Sequence, residues 1–197
     1  AWSDGPAMLV GDRLRGTGTQ DAAMATTRYP ISTCTEEYNG SNWSVGGALI
    51  TGRRAGGVFG TQNAGVAAAG GPGTSPSNGT TCTEHYNGLS WSSANATNVA
   101  LYTTTAAGLQ NSGIMWGGYQ PSVVGCTEVY DGTTWTAAQA LNNARYVGGG
   151  AGNSNLSALA MGGSSYSSNG LFVEEWNGTA WSNKTKQNIP LGYQGAD

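Results

Sequence analysis

The sequence is short of charge: Asp, Glu, Lys and Arg make up only 10% of its 197 residues, against roughly 25% in an ordinary domain. Charge this sparse cannot hold a chain open by self-repulsion, and a hydrophobic content of 38% is enough to fold. The net charge of −3 leaves no basic footprint, which argues against nucleic acid as a partner. Only one histidine is present, His85. That removes His-rich zinc or copper sites and any pair of histidines working as acid and base. No apolar run approaches the ~18 residues of a membrane-spanning helix, so membrane insertion is not expected. The chain opens on Ala1 without an initiator Met or a charged and apolar leader, and it reads as a mature chain or a piece of a longer one.

Glycine is abundant, with 33 copies, and it recurs in a pattern. Four segments align: Cys34-Thr-Glu-Glu-Tyr-Asn-Gly-Ser-Asn-Trp43, Cys82-Thr-Glu-His-Tyr-Asn-Gly-Leu-Ser-Trp91, Cys126-Thr-Glu-Val-Tyr-Asp-Gly-Thr-Thr-Trp135 and Phe172-Val-Glu-Glu-Trp-Asn-Gly-Thr-Ala-Trp181. Their closing tryptophans are 48, 44 and 46 residues apart. Ala1-Trp2-Ser3 looks like the tail of one more. Each segment reads as a β-hairpin, with Asn-Gly or Asp-Gly supplying the positive φ angles of a type I′ turn. Upstream of three hairpins, a short apolar run ends in a glycine pair: Gly70-Gly71, Gly117-Gly118 and Gly162-Gly163. The first repeat has Thr26-Thr27 there.

A unit of ~40–50 residues with four short strands and no helical periodicity is a propeller blade. In the second repeat, strand a is expected near Arg53–Phe59, b near Gly65–Ala69, c near Thr83–Tyr86 and d near Trp91. The glycine pair after strand b, the Glu-x-Tyr strand and the Trp beyond the turn resemble the kelch repeat over nearly the whole chain. Gly60-Thr61-Gln62-Asn63-Ala64-Gly65 and Glu-Tyr-Asn-Gly-x-x-Trp are most similar to kelch-like repeats of bacteriophage tail and tail-fibre proteins. The resemblance implies an all-β, kelch-like β-propeller of four-stranded antiparallel blades, in one region covering 1–197. Four full repeats fall at about 3–43, 44–91, 92–135 and 136–181, and 182–197 begins a further one. That frame cuts blades at both ends, which reads as a window on a longer array in preference to a split extra blade.

The chemistry-bearing residues favour structural roles. His85 shares its slot with Glu37, Val129 and Glu175, which marks a tolerant strand position. Cys34, Cys82 and Cys126 share one slot on neighbouring blades, beyond the ~7 Å Cα limit of a disulfide, and read as free, buried small hydrophobes. Glu36, Glu84, Glu128 and Glu174 recur at one position. A ring of carboxylates raises cation binding, but hydrogen bonding within each blade is the stronger reading, and nothing resembles a calcium loop. The glycine-rich stretches at Gly16–Gly18 and Gly148–Gly152 precede strands, so they lack the helix end that cradles phosphate. The kelch group includes one copper oxidase, whose His and Tyr ligands this chain cannot assemble. No metal, cofactor or catalytic residue is expected.

Function is then expected in the loops between strands b and c, which vary most and should share a face with the d–a connections. They span Arg28–Thr33, Pro72–Thr81, Tyr119–Gly125 and Ser164–Leu171. Tyr29, Tyr119 and Tyr166, with Asn78 and Gln120, offer aromatic plates among uncharged hydrogen-bonding groups, a combination suited to a sugar. The strand aromatics Tyr38, Tyr86, Tyr130 and Trp176 and the four closing tryptophans are expected to pack between blades. The expected role is a non-catalytic structural or binding module of a virion tail or extracellular appendage. Its partners would be host-surface glycan or neighbouring subunits, with homo-oligomers possible. The alternative is a cellular lectin-like or protein-docking propeller. A polysaccharide-degrading enzyme would need paired carboxylates at a cleft, and Asp4, Asp12 and Asp21 have no evident partners.

Overall fold

A computed structural model describes residues 5–10, 13–73, 79–165 and 170–186. Within them the chain is all-β: sixteen strands form four antiparallel four-stranded blades in a propeller arrangement. The first blade holds β1 (Arg15–Gly18), β2 (Ala23–Thr26), β3 (Glu36–Tyr38) and β4 (Trp43–Val45). The second holds β5 (Gly57–Thr61), β6 (Ala64–Ala68), β7 (Thr83–Tyr86) and β8 (Trp91–Ala94). The third holds β9 (Thr105–Leu109), β10 (Ser112–Trp116), β11 (Thr127–Tyr130) and β12 (Trp135–Ala138). The fourth holds β13 (Gly149–Ser154), β14 (Ser157–Met161), β15 (Val173–Trp176) and β16 (Trp181–Asn183). The innermost strands pack in chain order, β1 on β5, β5 on β9 and β9 on β13, and together they line the central axis.

Three local expectations are corrected. The innermost strand of the second blade starts at Gly57, because Ala55 takes a φ of 57° that breaks the extended run, and Arg53 turns inward instead. The Asn-Gly hairpins are four-residue loops, since Tyr38 pairs with Trp43 and Tyr86 with Trp91. Only their glycines have positive φ, while Asn39 Oδ1 caps the amides of Ser41 and Asn42 at 3.0 and 2.9 Å. Asp131 does the same in the third blade, and those donors pull its carboxyl below the ordinary range. All three cysteines are free, but Cys34 is exposed and the other two are only partly buried.

The core is divided into three, one between each pair of adjacent blades, because a blade this thin cannot enclose a core of its own. Met24, Leu49, Val58, Ala67, Tyr86 and Trp91 fill the first. Phe59, Val66, Met115, Tyr130 and Trp135 are central to the second. Ile114, Trp116, Leu141, Trp176 and Trp181 are central to the third. Glycine makes one close approach possible: a Cβ on Gly113 would stand 2.2 Å from the Phe59 ring.

Polar latches set the register of each interface. The indole N–H of Trp91, Trp135 and Trp181 donates to Thr35, Thr83 and Thr127 of the preceding blade at 2.9, 3.1 and 2.9 Å. Gln62 Nε2 reaches back to the carbonyls of Ala23 and Tyr38, and Gln110 repeats this with Gly65 and Tyr86. The slot that looked tolerant is the third latch. Tyr86 donates its hydroxyl to Glu37 at 2.5 Å, and Tyr130 meets His85 Nε2 at 2.9 Å. Burial, then the Glu37 bond, pushes the Tyr86 phenol up to about 12. Trp176 has no hydroxyl to offer, and the slot facing it holds Val129, packed against the same core. The slot's occupant is therefore matched to the next blade's aromatic.

The recurring carboxylates serve their own blades. Glu84 accepts from the amides of Ile50 and Thr51 at 2.7 and 3.2 Å, fastening the connection that enters its blade, and pairs with Arg53 at 3.0 Å. Glu36 and Glu174 repeat the pattern with Arg28 and Arg145. Glu128 binds the amides of Asn98 and Val99, but Leu101 stands where Arg53 and Arg145 stand, and Asn98 Nδ2 supplies the third donor at 2.7 Å.

An arginine and tyrosine cavity on the axis

The connections that lead into β1, β5, β9 and β13 must turn sharply from the blade's outer edge to the axis. All four do so through one residue in the left-handed region: Arg13, Ala55, Thr103 and Val147, with φ of 38°, 57°, 56° and 54°. For β-branched Thr103 and Val147 this conformation costs on the order of 1–3 kcal/mol each. These four residues line one axial cavity of about 450 Å³, together with Arg15, Arg54, Tyr29, Tyr102 and Tyr146. Tyr102 and Tyr146 occupy the slot that Arg54 holds in the second repeat. The cavity thus gathers side chains that are equivalent in the repeat and far apart in the chain.

The charged groups among its described lining residues are all cationic. The chain has six arginines. Arg28, Arg53 and Arg145 are consumed by the buried pairs with Glu36, Glu84 and Glu174. The other three, Arg13, Arg15 and Arg54, line the cavity, and no carboxylate stands among its described lining residues. The Arg54 guanidinium lies 4.9 Å from the Tyr29 ring centre and 5.4 Å from that of Tyr102, held between the two rings. Arg13 lies over Tyr29 at 5.5 Å. Arg15 is half-buried, and burial alone lowers its pKa; it makes no hydrogen bond or ion pair with a described residue. Burial raises the Tyr102 phenol, and Arg54 opposes that shift.

Of the site residues expected from sequence, Tyr29 lies in this cavity, which joins a b–c loop to the d–a connections on one face. Tyr119 stands behind it, edge-on to Tyr146 with ring centres 6.5 Å apart, and its backbone pairs with Tyr102. Gln120 is exposed in the tight turn that its amide closes onto Ser122. Asn78 and Tyr166 lie outside the described residues. Sequence reasoning missed Arg13, Arg15, Arg54, Tyr102 and Tyr146. Five of the six arginines fall within five residues of an innermost strand, so the sequence marks the connections into those strands without separating the cavity residues from Arg53 and Arg145.

Two further axial cavities lined by described residues carry less chemistry. The one of about 330 Å³ at the opposite end is walled mostly by Gly, Ala and Thr, with Phe59 its one aromatic residue. The one of about 160 Å³ between them shares Arg15 with the arginine cavity. Among the described residues, no group of three or more His, Cys, Asp or Glu side chains could hold a metal ion. No protein-family model and no curated protein matches the chain.

Proposed function

We propose that this propeller is a non-catalytic binding module that recognises a saccharide at the axial cavity, within a virion tail or another extracellular appendage built from kelch-like repeats. The observation that carries the reading is the convergence of the partly exposed Tyr29 and Tyr146, from the first and fourth repeats, on one concave site backed by the buried Tyr102. A saccharide ring presents an apolar face to an aromatic plate and hydroxyls to the groups around it. Rigid blades hold the plates in place before the ligand arrives, which lowers the ordering cost of binding. The test is a glycan-array measurement on the purified chain beside a Tyr29→Ala/Tyr146→Ala double variant. Loss of binding by about tenfold or more, some 1.4 kcal/mol, is expected. A folded parent that binds no glycan on the array would contradict the reading.

A second reading, assembly with other propeller chains, is favoured by one observation. Gln20, Tyr38 and Trp43 hold the positions that grip the preceding blade in later repeats. Gln20 is exposed and Trp43 only partly buried, and no such interface forms among the described residues. Sedimentation over a concentration series is expected to show mass above the monomer in that case, and a monomer at high concentration would dismiss it.

A further inference from the structure

We infer that the saccharide bound on the axis is an acidic one, carrying a carboxylate or a sulfate that Arg15 receives. The inference rests on the saccharide reading above and adds the ligand's charge. Arg28, Arg53 and Arg145 are buried in pairs with glutamate, whereas Arg15 lines the cavity beside Arg13 and Arg54. Leaving an arginine partly desolvated without a counter-charge is costly, and an anion entering the cavity would recover that cost. Arg15 is such a residue, since burial lowers its pKa and no described group pairs with it. It also stands where the larger cavity passes into the smaller axial one, so both open onto it.

The neighbours of Arg15 fit the same ligand. Arg54 is already oriented by the rings of Tyr29 and Tyr102, so its position costs little on binding. A planar carboxylate matches the paired N–H groups of a guanidinium and forms two parallel charge-assisted bonds, which a neutral hydroxyl cannot do. The tyrosines then serve the sugar ring while the arginines serve its charge. Discrimination against neutral sugars comes from leaving the guanidinium unpaired when the charge is missing.

The experiment is calorimetric titration of the full chain with four probes: a uronic-acid oligosaccharide, the same oligosaccharide with its carboxyls reduced, a sulfated oligosaccharide and inorganic sulfate. The uronate, the sulfated sugar or both are expected to bind at least about tenfold more tightly than the reduced sugar, with affinity falling as salt rises. Arg15→Gln is expected to lose at least about tenfold for the acidic sugar, a larger loss than for the reduced one. Arg15→Lys, which keeps the charge but not the fork, is expected to fall between. Unchanged tryptophan fluorescence in both variants confirms that the blades are intact. Equal affinity for acidic and reduced sugars, or an Arg15→Gln variant that binds like the parent, overturns the acidic ligand and leaves the saccharide reading standing. Binding of inorganic sulfate with no saccharide bound overturns both.

Discussion

Replacing Glu84 by Ala is expected to cost about 3–5 kcal/mol of unfolding free energy, because it strands the buried charge of Arg53. Arg53 is fully buried, its Nε and Nη1 have no partner, and burial already pulls its pKa down against the opposing effect of Glu84. The same change frees the amides of Ile50 and Thr51, so the connection between the first and second blades loses its fastening. Arg53→Leu should cost less than half as much. The third blade supplies a partial precedent: Leu101 stands in the arginine's place, and Glu128 still binds two amides, with Asn98 Nδ2 as its third donor. Chemical denaturation followed by tryptophan fluorescence checks the order of the two variants. Equal losses would mean that the ion pair, not the amide latch, is the fastening.

Trp135→Ala is expected to be comparably severe, at about 3–5 kcal/mol, through lost burial and the cavity left behind. The ring is 6% exposed, stacks on Tyr130 with centres 4.6 Å apart and meets Phe59 edge-on at 6.1 Å. Its loss also leaves the buried Thr83 hydroxyl without the indole donor. Trp43→Ala removes the same residue type from the same slot of the first blade. There the ring is only partly buried and meets Tyr38 of its own blade, so the cost should be far smaller. Similar losses at the two positions would show that each tryptophan stabilises its own hairpin. The account requires instead that it joins two blades.

The blades were legible in the sequence because their signals are local. Glycine pairs, a Glu-x-Tyr strand and a Trp at fixed distance repeat within about twenty residues of each other, and a short-range pattern survives reading along the chain. The hairpin loops were misjudged although the information was present: Trp43 follows Gly40 by three residues, which leaves room for a four-residue loop. The slot of His85 looked indifferent because its occupant is chosen by an aromatic about 45 residues onward, across an interface that only packing reveals. Arg13, Arg15 and Arg54 were passed over for a related reason. They sit in different slots of two repeats, so no repeated motif marks them, and only closure of the strands around an axis brings them together. The position of Tyr29 on the face of the d–a connections was legible because its loop could be read directly from the repeat.

The most direct measurement of the central claim is a titration of isotope-labelled protein with a uronic-acid oligosaccharide, read by nuclear magnetic resonance at the arginine Nε–H and tryptophan indole N–H signals. The account predicts shifts at Arg13, Arg15 and Arg54, with the indole signals of Trp91, Trp135 and Trp181 unmoved because they are locked to threonines between blades. Shifts confined to the Asn39–Asn42 and Asn87–Ser90 loops, with the three arginines silent, would place binding away from this cavity and contradict the account.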